Sequence, residues 1–189
     1  MTPRQTPHHS PVTPVPPGPG QESVWDYPRP PALEQSARHV VVRSGDILIA
    51  DSRAAWRVME TSHPPTWYLP PADVRQDRIR RSSVRSTMCE WKGAATYWDV
   101  ATGDVGPGGV DTESWREAAA WSYQTPTPRF VPITGFLSFM PSAVECYIDG
   151  ERVLLVDDLT DTGWTLAVTA RELRRAGASA VYPFVLGVR

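Results

Sequence analysis

From Val24 onward, short apolar or alternating runs are broken every few residues by turn-forming residues, and this spacing limits what the chain can fold into. A strand needs only about four to eight residues, whereas a helix needs roughly ten or more with unbroken periodicity. Pro70 and Pro71, for example, end the apolar run at residues 66–69, because proline has no amide hydrogen to donate to a sheet. The pattern predicts a compact, mainly β domain over residues 23–152.

Two pairs of these runs are typical of β-hairpins. Residues 39–42 and 47–50 flank a Ser-Gly-Asp turn, and residues 89–91 and 95–100 flank a Lys-Gly pair. Further strands are predicted at residues 56–60, 66–69 and 118–123. Residues 130–140 fit either a short helix or an aromatic strand, because a short apolar run does not separate the two.

The first 22 residues have a different composition. They contain seven prolines among threonine, serine, glycine and glutamine. Such a segment cannot bury enough apolar surface to offset the entropy lost on folding. A disordered, proline-rich N-terminal tail is therefore expected at residues 1–22.

Residues 153–189 form a third pattern. Four apolar residues, 153–156, suit a buried strand, and Asp157 and Asp158 follow at its carboxyl end. A loop of small residues then leads into an amphipathic helix pattern, and a second apolar run follows at residues 180–188. The segment predicts an appended βαβ unit. Backbone amides at the start of its helix would favour an anion.

This acidic pair and the loop after it resemble the phosphoribosyl pyrophosphate (PRPP) loop of type I phosphoribosyltransferases. The resemblance implies that Asp157 and Asp158 hold ribose hydroxyls and that Asp161 occupies an acidic position that some purine members use as a general base. The loop residues that would bind the 5′-phosphate, with Mg²⁺ only if the tail is functional, are Thr162, Gly163 and Thr165. The tail also resembles the end of some actinobacterial RecQ-type helicases. Since no pyrophosphate loop, lid or hood is found upstream, an inert gene-fusion remnant is favoured.

A second and broader resemblance covers residues 22–153. The residues that carry it are Ala50-Asp51-Ser52-Arg53, His63-Pro64-Pro65-Thr66-Trp67-Tyr68-Leu69-Pro70-Pro71, Cys89-Glu90-Trp91-Lys92-Gly93, Ala95-Thr96-Tyr97-Trp98, Ala119-Ala120-Trp121-Ser122-Tyr123 and Gly135-Phe136-Leu137-Ser138-Phe139. In these segments the chain resembles the DUF427 family, which has no established function. The resemblance implies a compact β-rich fold and leaves the activity open.

Polar and aromatic groups in the same segments are candidates for a small-molecule pocket. The catalytic candidates are His63, Lys92 and Cys89, since an imidazole can move protons, the only lysine can anchor an anion, and a nearby cation can lower a thiol pKa. The structural alternatives are that His63 caps a turn, that Lys92 closes a hairpin and that Cys89 is buried and inert. The ligand-binding candidates are Tyr68, Trp121 and Tyr123, whose alternative role is packing in the core.

Composition narrows the function classes. A net charge of -2 argues against a general nucleic-acid binder, and the arginines of residues 75–85 are partly offset by Asp73 and Asp77. No apolar run approaches the ~20 residues of a membrane span, and no secretory signal is evident, so a cytoplasmic protein is expected. Cys89 and Cys146 lack metal-type spacing, so no metal site is predicted.

The predicted fold class is therefore α+β: a mainly β domain with a short appended βαβ unit and a disordered tail. Three functional hypotheses remain open. The β domain binds a small molecule or partner and carries an inert extension; or the chain is a PRPP-binding protein or a phosphoribosyltransferase-related enzyme; or it is a structural protein without a ligand. No cofactor is established, and the sequence makes no prediction of the oligomeric state.

Overall fold

The computed structural model describes residues 16–102, 114–153, 159–160 and 187–188. Within these residues the chain is mainly β, as its sequence predicts. The strands of residues 18–154 are β1 Ala32–Ser36, β2 Val40–Ser44, β3 Ile47–Ser52, β4 Ala55–Met59, β5 Thr66–Tyr68, β6 Ile79–Arg81, β7 Thr87–Cys89, β8 Gly93–Thr102, β9 Ser114–Tyr123, β10 Leu137–Phe139, β11 Glu145–Ile148 and β12 Glu151–Arg152. Short 3-10 helices lie at Val24–Asp26, Pro71–Asp73, Gln76–Arg78 and Pro128–Ile133.

These strands form three antiparallel sheets. The first has the order β1-β4-β5, and the second has the order β10-β9-β8-β6 with β7 also paired to β8. The third has the order β12-β11-β2-β3. Leu69 and Leu137 exchange backbone hydrogen bonds of 2.8 and 2.9 Å, which join β5 at the edge of the first sheet to β10 at the edge of the second.

The second sheet is buried on both faces. Successive side chains of a strand point to opposite faces, so Ala95 and Tyr97 of β8 lie on one face with Trp121 and Tyr123 of β9. Trp98 and Val100 of β8 lie on the opposite face, together with Leu137 and Phe139 of β10. The first face belongs to an aromatic cluster whose buried members are Val58, Tyr68, Ala95, Tyr123, Phe130 and Ile133. The second belongs to an aliphatic cluster around Val42, Ile49, Leu69, Val100 and Leu137.

A bulge between β8 and β9 is held by a buried carboxylate. The register of the two strands shifts between Trp98 and Val100, and Ala118 opposite has a positive φ of 51°. Asp99, only 6% exposed, accepts hydrogen bonds from the backbone N–H of Ala118 at 3.0 Å and from Arg80 Nε at 3.1 Å. The carboxylate therefore satisfies an amide that the interrupted ladder leaves unpaired.

Most of the predicted strands are present. Both predicted hairpins form, as β2 with β3 and as β7 with β8. The ambiguous residues 130–140 contain parts of both alternatives, because the 3-10 helix Pro128–Ile133 is followed by β10. The predictions lacked β1, β6, β11 and β12. In β6 only Ile79 is buried, whereas Arg80 and Arg81 are exposed, so the strand has no alternating apolar signal.

The chain divides into two compact units, Gly18–Leu154 and a unit formed by Met1–Pro17 with Leu155–Arg189. In the second unit the structure describes β13 Leu159–Thr160 and β14 Gly187–Val188, which pair in parallel. Thr160, which falls in the segment predicted to be a loop of small residues, lies in a strand, because its backbone pairs with Val188. The predicted helix, residues 1–15 of the N-terminal tail that was predicted for residues 1–22, and the loop residues Asp157, Asp158, Asp161, Thr162, Gly163 and Thr165 lie outside the described residues.

Candidate functional site

A cavity of about 260 Å³ opens on the aromatic face of the second sheet. Strands of the first two sheets form its walls. Each of β5, β8 and β9 contributes two alternate residues, because alternate residues of a strand share a face. Thr66 and Tyr68 come from β5, and Thr87 comes from β7. The remaining lining residues are Lys92, Ala95, Tyr97, Trp121, Tyr123 and Met140. None of them belongs to the aliphatic cluster.

The turn between β7 and β8 brings Lys92 to this cavity. Cys89 pairs with Gly93, so three residues form the connection, and Gly93 has the positive φ of 96° that glycine adopts without strain. Thr127 donates its backbone N–H to the carbonyl of Lys92 at 3.3 Å and its hydroxyl to the carbonyl of Trp91 at 2.6 Å. The turn is therefore anchored to the segment that leads into the 3-10 helix Pro128–Ile133.

The side chain of Trp91 ties the turn to the first sheet. Its indole N–H donates to the Glu60 carboxylate at 3.3 Å. Arg29 contacts the carboxylates of Glu60 at 3.7 Å and Glu90 at 3.0 Å, and its guanidinium lies 5.9 Å from the centre of the Trp91 ring. These contacts restrict the conformations that the turn can adopt, and so they help to position Lys92.

Lys92 is a buried cation without an acidic partner. It is only 9% exposed, and its Nζ lies 5.9 Å from the ring centre of Tyr123 and 5.7 Å from that of Phe130. Among the residues that the structure describes, none makes a hydrogen bond or ion pair with this ammonium. Two aromatic rings compensate only part of the cost of burying a charge. Lys92 is thus well placed to attract an anion.

The hydroxyl groups of the cavity are neutral and largely paired. The Trp121 indole N–H donates to the Tyr68 hydroxyl at 3.3 Å, and the Thr87 and Tyr97 hydroxyls lie 2.8 Å apart. Burial raises the pKa of Tyr68 and of Tyr123 above the usual range of tyrosine. Both hydroxyls therefore stay protonated, and they can orient a ligand through hydrogen bonds.

Cys89 lies beside the cavity and packs against the aromatic cluster. Burial raises the pKa of its thiol. The backbone N–H groups of Lys92 and Trp91, the Lys92 ammonium and the Tyr123 hydroxyl together lower this pKa by more than burial raises it. The pKa of Cys89 is consequently below its usual value. A thiol in such surroundings has an increased thiolate fraction at neutral pH.

A comparison with known protein families assigns this domain. Residues 32–150 match a family described as a domain of unknown function (DUF427). The chain belongs to this family. Every residue that lines the cavity lies within the matched DUF427 segment. No curated protein matches the chain.

The predicted site residues of the DUF427 domain fall into two groups. Tyr68, Trp121, Tyr123 and Lys92 all line the one cavity, and Cys89 adjoins it. His63 lies elsewhere, on an exposed turn where its ring Nδ1 is 3.0 Å from the carbonyl oxygen of Thr61. This position fits the alternative interpretation of His63 as a residue of the turn.

Five lining residues were absent from the sequence prediction: Thr66, Thr87, Ala95, Tyr97 and Met140. A signal was present for three of them, since Thr66 is two residues from Tyr68 and shares its face of β5, and Ala95 and Tyr97 are two residues apart on one face of the predicted strand β8. Met140 reaches the cavity from the end of β10, and Thr87 from a three-residue strand. Neither position follows from a local pattern.

Other candidate sites are less developed. Among the described residues, no three His, Cys, Asp or Glu side chains are grouped to hold a metal ion. Arg75 is paired with Asp77, and Arg80 is paired with Asp99 while lying 4.3 Å from the Trp115 ring centre. Much of this basic cluster is thus engaged within the protein. In the described part of the chain, every helical segment is too short to cross a lipid bilayer.

Proposed function

We propose that the DUF427 domain of this chain binds a small molecule whose anionic group contacts Lys92. The single observation that carries the proposal is a lysine that is only 9% exposed, lines a cavity and has no acidic partner among the described residues. Burying a charge is costly unless it is paired. A carboxylate or phosphate in the cavity would supply the pairing and would gain a charge-assisted hydrogen bond.

The walls of the cavity support a ligand with a ring or a compact apolar body. Tyr97, Trp121 and Tyr123 provide aromatic surface, and such rings favour stacked or edge-on contacts with a planar group. The volume of about 260 Å³ is slightly below the roughly 300–1,000 Å³ of pockets for drug-sized ligands. The proposed ligand class is therefore a single ring or short chain with one anionic group.

A thermal-shift screen tests the proposal. Benzoate and phenyl phosphate supply the two anion types on the same ring, and benzamide is the neutral control. A ligand at about ten times its dissociation constant stabilises the folded protein by roughly 1.4 kcal/mol, which raises the melting midpoint by a few degrees. We expect this shift with one or both anions and not with benzamide. Equal shifts with all three compounds would contradict an anion site.

Two charge-matched variants locate the effect. Lys92→Met removes the cavity cation, and Arg81→Met removes an exposed positive charge that does not line the cavity. The first variant should weaken anion binding by about tenfold or more, since a hydrogen bond to a charged group contributes about 1.5–3 kcal/mol. The second should leave binding unchanged. Equal losses in both variants would mean that the effect comes from net charge alone.

A second proposal concerns the C-terminal segment, which we suggest binds a phosphoribosyl compound as the alternative function. Its support is the Asp157-Asp158 and Thr-Gly-x-Thr motif together with the parallel pairing of β13, which begins directly after Asp158, with β14. Thermal shifts with PRPP and Mg²⁺ test it. Mg²⁺-dependent binding that Asp157→Asn abolishes would support this function, and no response would favour an inert extension.

A further inference from the structure

Cys89 lies on β7 and packs against the aromatic cluster that borders the cavity. Thr87, two residues earlier on the same strand, lines the cavity. Met88 between them is 78% exposed, so it points to the opposite face. Cys89 therefore shares the face of Thr87, and it is separated from Lys92 only by the residues of the turn.

The surroundings of the thiol favour its anionic form. Burial raises the pKa of the Cys89 thiol, but the backbone N–H groups of Lys92 and Trp91 and the Tyr123 hydroxyl lower it. The Lys92 ammonium adds a positive charge on the cavity side. Lys92 is an independent indication of a ligand here, since it is nine-tenths buried, lines the cavity and has no acidic partner in the described part of the chain.

We propose that Cys89 is a nucleophile that bonds covalently to an electrophilic carbon of a small anionic ligand held by Lys92. This inference rests on the proposed anion-binding function of the same cavity. In the step, the thiol has already lost its proton to solvent. The thiolate sulfur attacks the carbon, an S–C bond forms, and the bond from that carbon to its leaving group breaks, with the electron pair departing on the leaving group.

The residues around the sulfur have distinct roles in this step. Lys92 holds the carboxylate or phosphate of the ligand and reduces the repulsion between that anion and the incoming thiolate. Together with the two backbone amides, the Tyr123 hydroxyl lowers the pKa of the thiol, which favours the thiolate before attack. Met88 lies on the opposite, exposed face, so it does not take part.

Alkylation of the intact protein tests the inference with two probes of nearly equal size. Iodoacetate is an anion and iodoacetamide is neutral; in both, sulfur bonds to the CH₂ carbon as iodide leaves, which adds a carboxymethyl or a carbamoylmethyl group to the sulfur. Rates are read at neutral pH by mass spectrometry of the peptides that contain Cys89 and Cys146. We expect Cys89 in the folded protein to react about tenfold faster than in the urea-unfolded chain. We also expect the ratio of the iodoacetate rate to the iodoacetamide rate to fall about tenfold in Lys92→Met.

Two further variants serve as controls. Lys92→Arg keeps the positive charge and should retain the high ratio, and Arg81→Met should leave the ratio unchanged. If Cys89 reacts no faster folded than unfolded while benzoate still stabilises the protein, the nucleophile is ruled out and the binding site stands. If Cys89 reacts fast but the ratio is the same in wild type and Lys92→Met, the anion site itself is ruled out.

Discussion

The two clusters of this domain shift the pKa of a cysteine thiol in opposite directions, as Cys146 and Cys89 show. Cys146 lies on β11 among the aliphatic side chains, where burial raises the pKa of its thiol to about 11. Cys89 packs against the aromatic cluster, where amide, ammonium and hydroxyl groups more than offset burial and lower its pKa. Burial alone makes a thiol inert, whereas burial next to oriented donors activates it.

The same contrast holds for the clusters as a whole. The aliphatic cluster contributes no residue to the cavity, and its members pack against one another. Around the cavity, the aromatic cluster combines rings with hydroxyl groups and one cation. We infer that the first cluster mainly stabilises the fold. We infer that the second is packed less completely, which lowers its contribution to stability and leaves room for a binding site. The following predictions test this division, from the largest expected effect to the smallest.

Ile49→Ala should be strongly destabilising. Ile49 is completely buried in the aliphatic cluster, and truncation of such a side chain leaves a cavity that the surrounding residues fill only in part. We expect a loss of about 2–5 kcal/mol in the free energy of unfolding, measured by urea denaturation. Met88→Ala, at an exposed position beside Cys89, is the control and should change stability by less than about 0.5 kcal/mol. Similar losses in the two variants would refute the division.

Asp99→Asn tests the bulge between β8 and β9, the two strands that contribute residues to both clusters. Burial raises the Asp99 pKa, but the Ser82 hydroxyl, the Ala118 amide and the Arg80 guanidinium lower it below its usual value. The variant should lose about 1.5–3 kcal/mol at neutral pH, since it removes hydrogen bonds to a charged group.

The pH dependence of this loss has a definite sign. Because the folded pKa lies below the unfolded value of about 3.9, folded Asp99 binds fewer protons than unfolded Asp99 at moderately acidic pH. Its stabilising contribution is complete above the unfolded pKa and declines as the pH falls through the folded pKa. The difference between wild type and variant in urea denaturation should therefore shrink below about pH 4. A difference that is constant with pH would contradict this origin.

Lys92→Met should not destabilise the protein, even though it removes the only lysine. An unpaired buried ammonium costs desolvation energy, and an apolar side chain of similar length avoids that cost. We expect a free energy of unfolding that is unchanged or higher by about 1 kcal/mol, together with the loss of anion binding. A fall of more than about 1 kcal/mol would instead support the alternative that Lys92 serves to close the hairpin.

Removal of the terminal segments should have the smallest effect. In the part of the chain that the structure describes, both clusters are built from residues between Leu33 and Val153, so a chain of residues 18–154 retains every residue of these two clusters. Its melting midpoint should match that of the full chain. Val153 must be kept, because it packs on the aliphatic cluster and its amide donates to the Cys146 carbonyl at 2.7 Å. A large fall in the midpoint of the 18–154 chain would show that the terminal segments stabilise the domain.

Local patterns explain how much of this could be predicted from the sequence. Gly45 and Gly93 occur in the turns of the two predicted hairpins, and both have positive φ values. The segments that resemble DUF427 contain the aromatic residues Tyr68, Trp121 and Tyr123, which are candidates for a small-molecule pocket, and all three line the cavity. The contact between Leu69 and Leu137, which joins two sheets, links residues far apart in the chain, so no local pattern could indicate it. The prediction that His63 is catalytic depends on the chemistry of imidazole alone. Its exposed position on a turn depends on tertiary packing, which the local sequence does not indicate.

An NMR titration of the protein with benzoate tests most directly whether the aromatic cluster contains the binding site. The prediction is saturable shifts of the backbone amides at residues 87–97 and 121–123, with a dissociation constant of roughly 1 mM for so small a ligand. The amides of β2 and β11, around Val42 and Cys146, should not shift, and Lys92→Met should abolish saturation. Shifts that do not saturate, or that are equally large in the two clusters, would contradict an anion site at Lys92.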